Sequence, residues 1–120
     1  MPYSAYVLTE SARATLIERR PPLHPEVVAH HVTYQFPDQE PPPPISSVRV
    51  VGYAGDHRIE CVVVELEGST TRPAGGVFHI TLSLDRAQGA KPVHSNRLLK
   101  KTWEPLEPFE LEVTPTLVQP

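Results

Sequence analysis

Fifteen prolines in 120 residues leave this chain few ways to fold. Proline fixes its own φ and lacks the backbone donor that helices and sheet ladders use, so each one marks an end, an edge or a turn. Pro21, Pro22, Pro25, Pro37, Pro73, Pro92, Pro105, Pro108 and Pro115 fall where regular elements stop. Between them lie short segments, several alternating apolar with polar residues, the pattern of half-buried strands. Pro41 to Pro44 form an unbroken run after Asp38-Gln39-Glu40. Such a run favours an extended polyproline II segment. No Arg or Lys flanks it, so it reads as a stiff surface loop between two strands rather than as an SH3-type ligand.

Residues 3–9 read as a first strand, and Thr9 or Ser11 is placed to cap a helix that Pro21-Pro22 stops. Residues 27–36 read as the second strand. A hairpin over 46–53 and 59–67 follows, with Gly55 as the turn residue and His57 exposed at the tip. Residues 77–84 form the next strand, a short helix runs through Leu98-Leu99-Lys100-Lys101, and 109–118 form the last strand. Pro115 predicts that this last strand lies at an edge or breaks late. About six strands with two helices predict a single α+β domain over residues 1–120, built on a mainly antiparallel sheet.

Bulk properties narrow the function classes. A formal charge of −3 argues against a protein held to nucleic acid by charge alone. Lys91, Arg97, Lys100 and Lys101 still leave room for a local basic patch near residue 79. Cys61, the single cysteine, sits in the run Cys61-Val62-Val63-Val64 and reads as a buried, inert thiol. No apolar stretch approaches the roughly 20 residues that span a bilayer. The N-terminus lacks a basic segment followed by an apolar one, so the expected location is cytoplasmic.

Two copies of one pattern carry the chemistry: His31-Val32-Thr33 and His79-Ile80-Thr81. Residues two apart on a strand share a face, so each His stands beside its Thr while Val32 or Ile80 turns away. On the first strand Ala29, His31, Thr33 and Gln35 oppose Val28, His30, Val32, Tyr34 and Phe36, which assigns His30 to the apolar face as a structural residue. On the other, Val77, His79, Thr81 and Ser83 oppose Phe78, Ile80, Leu82 and Leu84. Facing each other, the two strands offer an acid, a base and two hydroxyls, enough for phosphodiester cleavage without a metal. One imidazole takes a proton, the other supplies one, and the hydroxyls hold the non-bridging oxygens.

The motifs His31-Val32-Thr33-Tyr34 and His79-Ile80-Thr81-Leu82 resemble the repeated His-x-Thr-hydrophobic signature of the two-histidine (2H) phosphoesterases. That superfamily includes LigT-type RNA 2',3'-cyclic phosphodiesterases and the cyclic phosphodiesterase domains of tRNA ligases. The segment 78–99, with His94-Ser95-Asn96-Arg97-Leu98-Leu99 after the second motif, is similar to small RNA-repair-associated members. The resemblance implies a bilobal, pseudo-twofold fold with a central cleft. It also implies cofactor-free and metal-independent hydrolysis of a cyclic phosphate on an RNA end or nucleotide. It makes His31 and His79 the catalytic pair and Thr33 and Thr81 the phosphate ligands. The motifs lie closer together than in larger bacterial members, which implies a trimmed first lobe and a short or terminal substrate, and Tyr34 replaces the usual aliphatic residue.

Ser95 and Asn96 read as a helix cap or as weaker substrate contacts. Tyr3, Tyr6, Tyr53 and Trp103 are candidates to stack a base or to pack the core. A metal site from His24, His30 and His31 lacks a recognised spacing, and neighbours on a strand point apart. The same cleft serving as a non-catalytic nucleotide- or phosphate-binding module is the chief alternative. A scaffold acting through Pro41 to Pro44 rests on that run alone.

Overall fold

The computed structural model describes residues 1–100 and 102–119. Strand β1 (Tyr3–Leu8) leads into helix α1 (Glu10–Arg19). Thr9 caps the helix, its Oγ1 accepting from the Ala12 amide at 3.2 Å. Short β2 (Glu26–Val27), β3 (His31–Gln35), β4 (Ser47–Gly55), β5 (Ile59–Glu65) and β6 (His79–Leu84) follow, then α2 (His94–Leu99) and β7 (Glu104–Val118). Seven antiparallel strands lie in the order β2-β6-β5-β4-β7-β1-β3. The expected α+β class with an antiparallel sheet and two helices is what the chain adopts. No helix among the described residues is long and apolar enough to cross a membrane.

The sheet has two arms that share β7. Residues Glu104 to Glu112 of that strand pair with β4, and Val118 back to Val113 pair with β1. Pro115 therefore sits opposite Tyr6, past the point where β4 has ended, so its missing donor faces no partner strand. The expected edge is local: β7 as a whole is central. It also begins earlier than the apolar pattern indicates, running through Pro105 and Pro108. Pro105 lies opposite Gly52, where the β4 register shifts.

The chain between β2 and β3 closes the arms upon each other. Val28 and Ala29 continue along β6, donating to the carbonyls of Leu82 and Thr81 at 2.9 Å each. The backbone then turns at Ala29, which is fully buried and holds φ at 42°. From His31 onward it pairs instead with β1, His31 opposite Val7 and Thr33 opposite Ala5. One continuous strand over 27–36 is thus corrected to two short ones joined by a left-handed kink. A non-glycine residue in that region costs about 1–2 kcal/mol and is kept where the surroundings compel it.

The main core confirms the alternation. Val32 and Ile80, the middle residues of the two motifs, are both fully buried in one cluster with Leu16, Val48, Val50, Val62 and Leu111. A second cluster under α2 joins Cys61, Val63, Ala54 and Leu99, with Trp103 against it. Cys61 is inaccessible and burial pushes its thiol up to about 12, so it is the inert residue expected. The Pro41–Pro44 run lies in the loop between β3 and β4, with Pro42 buried and the Pro43 carbonyl accepting from the Tyr6 hydroxyl at 2.6 Å.

Two turns differ from expectation. Gly55 ends β4 in an ordinary conformation, and Asp56 makes the hairpin turn, its Oδ1 accepting from the amides of Arg58 and Ile59. His57 is exposed there, as expected. On β6 the register steps from Ser83 to Thr81 while β5 advances only from Glu60 to Cys61. This bulge turns Ser83 away from the face of His79 and Thr81. Its hydroxyl meets buried Glu60 instead.

Candidate active site

Both His-x-Thr strands open onto one cleft of about 640 Å³, lined by His31 and Thr33 from β3 and by His79 and Thr81 from β6. The kink at Ala29 produces this meeting. It carries the chain off the edge of β6 at Thr81 and onto β1 two residues before His31. All four expected site residues are brought together.

The two imidazoles are held differently. His79 Nδ1 lies 2.8 Å from the Val77 carbonyl oxygen, which can only accept, so Nδ1 carries the proton and Nε2 keeps its lone pair. Burial pushes the His79 pKa down; the hydrogen bond to Val77 works against this, and Arg72 nearby adds to the depression. His31 is pushed further, down to about 4, first by burial and then by the neighbouring His30 and His79. Burial thus disfavours the protonated form of both rings, and His79 contributes to the depression at His31, with which it lines the cleft.

His30 departs from expectation. It is exposed rather than buried in the apolar face, and its Nδ1 lies 3.0 Å from His31 Nδ1. The cause is the kink at Ala29, which breaks the alternation just before His30. One of these nitrogens donates and the other accepts, so the exposed ring helps to set the tautomer of the half-buried one.

Thr81 is buried, and its Oγ1 lies 3.0 Å from Ser95 Oγ. Neither Ser95 nor Asn96 caps α2, because Val93 takes the N-cap position without a side-chain bond. Ser95 is buried behind Thr81 and positions its hydroxyl, whereas Asn96 lines the cleft. Of the candidate stacking aromatics, Tyr3 alone lines the cleft, its ring 5.6 Å from those of His31 and Phe36. Tyr6 is buried in the main core and Trp103 packs against the second cluster. The Tyr53 hydroxyl donates to Glu60 at 2.5 Å. Tyr34 stacks on Phe78 at 6.1 Å and separates the cleft from a smaller cavity of about 200 Å³.

Sequence reasoning missed two features of the site. Phe36, assigned to the apolar face, is 58% exposed at the cleft mouth. Arg72, on the loop before β6, lines the cleft and donates from Nη2 to Asn96 Oδ1 at 3.2 Å. No periodicity marks an arginine on a loop, so neither pattern nor spacing singles it out. The expected basic patch does not reach the cleft: Lys91, Arg97 and Lys100 are exposed outside its lining, and Lys101 falls outside the described residues. Among the described residues no three His, Cys, Asp or Glu side chains gather as a metal-ligating group.

Comparison with protein-family models, with curated proteins and with solved structures returns no match to this chain.

Proposed function

We propose that this protein is a metal-independent phosphodiesterase of the two-histidine type, opening a 2',3'-cyclic phosphate on a nucleotide or an RNA end. The observation that carries the reading is the convergence of His31, Thr33, His79 and Thr81 on one cleft from two strands that belong to different arms of the sheet. The two arms meeting around that cleft are in keeping with the bilobal, pseudo-twofold architecture that the motifs imply.

The neutral His79 ring, with its Nε2 lone pair free, is suited to take a proton from water as the oxygen attacks phosphorus. The P–O bond to the 2' or 3' oxygen then breaks, and His31, protonated once an anion occupies the cleft, gives its proton to the departing oxygen. Hydroxyls of Thr33 and Thr81 donate to the non-bridging oxygens. Placement on strands packed through Val32 and Ile80 holds these groups steady.

A second reading, a nucleotide- or phosphate-binding module without turnover, draws on one observation. With its pKa pushed down to about 4, first by burial, His31 carries almost no proton at neutral pH with which to serve as acid. An assay with a nucleoside 2',3'-cyclic phosphate in EDTA separates the two. Turnover that falls at least ~100-fold in both His31→Ala and His79→Ala supports the enzyme. Binding without product supports the module, and activity that EDTA abolishes refutes the metal-independent mechanism.

A further inference from the structure

Among the described residues the lining of the cleft contains no Asp or Glu, although the chain as a whole is acidic at −3. Burial works against a proton on either of its two histidines. Arg72 is therefore the fixed charge among the described residues that line it. Arg49 and Arg86 pair with glutamates on the surface, but among the described residues Arg72 has no carboxylate within 4.0 Å. Its contacts are neutral acceptors: Nε donates to the Gly75 carbonyl and Nη2 to Asn96 Oδ1, each at 3.2 Å. A guanidinium has five N–H donors, so these two bonds orient the fork and leave the others free.

This is a poor design for a loop staple. The half-buried guanidinium gives up part of its hydration without gaining a counter-charge, and desolvation lowers its pKa accordingly. A neutral amide would bridge Gly75 and Asn96 without that cost. The loop is shaped around the side chain: Gly76 holds φ at +89°, and a Cβ there would come 2.8 Å from Arg72 Nη2. Planar, bidentate donors at a site that excludes carboxylates match the oxygens of a phosphate.

We infer that Arg72 is the anion-binding residue of this cleft, gripping two non-bridging oxygens of the same phosphate that His31 and His79 flank. The ligand's identity as a cyclic phosphodiester rests on the function proposed above; the anion site itself does not. In the reaction Arg72 offsets the negative charge carried by the non-bridging oxygens as the water oxygen adds, beside the proton that His31 delivers to the leaving oxygen.

The test measures binding of inorganic phosphate, adenosine 2'-monophosphate and unphosphorylated adenosine by calorimetry, on wild type, Arg72→Gln, Arg72→Lys and Gly76→Ala. Arg72→Gln is expected to weaken both phosphate-bearing probes about 10- to 100-fold, leaving adenosine unaffected. Arg72→Lys should recover part of that loss. Gly76→Ala, which keeps the guanidinium but crowds it, should also weaken phosphate, and it tests the site if Arg72→Gln does not fold. A folded Arg72→Gln that binds phosphate as wild type does, or a wild type that binds neither phosphate probe, overturns the inference. Arg72-dependent binding without any turnover of a cyclic phosphate upholds the anion site while the enzymatic reading fails. Unchanged turnover in Arg72→Gln does the reverse.

Discussion

Acid should destabilise this fold through His31, and the size of the effect follows from where the ring sits. Its pKa is pushed down to about 4 by burial, by His30 at 3.0 Å and by His79 across the cleft. A histidine in the unfolded chain takes its proton near pH 6.5. Between these values the unfolded chain binds more protons than the folded one, so stability falls as pH falls. The contribution is whole above about pH 6.5 and lost once pH drops below about 4. Linkage puts the loss from His31 between pH 7 and pH 5 at roughly 2 kcal/mol, and solvent access to the half-buried ring reduces it toward about 1 kcal/mol. His79, shifted the same way with burial as the first cause, adds in the same direction.

Urea unfolding at several pH values, on wild type and His31→Gln, isolates what His31 contributes. Glutamine does not titrate, so wild type should lose about 1–2 kcal/mol relative to the variant as pH falls from 7 to 5. His30→Gln, which removes one of the groups that hold the His31 pKa down, should make the slope shallower than that of wild type. Should the stability difference between wild type and His31→Gln stay constant with pH, the folded ring titrates normally. It would then be solvated and remote from His79, and the shared cleft would fail with it.

Two further perturbations test the frame around the site. Glu60, 1% exposed, accepts from the Tyr53 and Ser83 hydroxyls at 2.5 Å and from the Leu23 amide at 2.7 Å. Glu60→Ala strands three donors and is expected to cost roughly 3 kcal/mol or more in chemical denaturation. An unchanged midpoint would show that this carboxylate does not tie residue 23 to β5 and β6. At Gly52 an added Cβ would fall 2.2 Å from Trp103 Cε3. Gly52→Ala should displace the indole at a cost of about 1–3 kcal/mol and shift the emission of the chain's single tryptophan to the red. Emission like that of wild type would mean the ring does not lie on Gly52.

Much of the site was legible because strand alternation is a local property. Val32 and Ile80 had to turn inward if His31, Thr33, His79 and Thr81 turned outward, and both are in the main core. Prolines and cap residues located most element ends for the same reason. The misread positions share a different cause. His30 left the apolar face because Ala29 kinks, and Ser83 changed sides because β6 bulges against β5. Both events answer to pairing partners far along the chain, which the neighbours of Ala29 and Ser83 do not reveal.

From its amino-acid order alone this protein was bound to make short antiparallel strands with two polar, histidine-bearing faces. Only tertiary structure decided that those faces meet. That outcome depends on β7 joining two arms and on residues 26–35 leaving β6 for β1. Tertiary structure also brought Arg72 into the cleft and lowered the affinity of both imidazoles for protons. Charge and solvation at a site depend on what else is packed there, and no stretch of sequence carries its own surroundings.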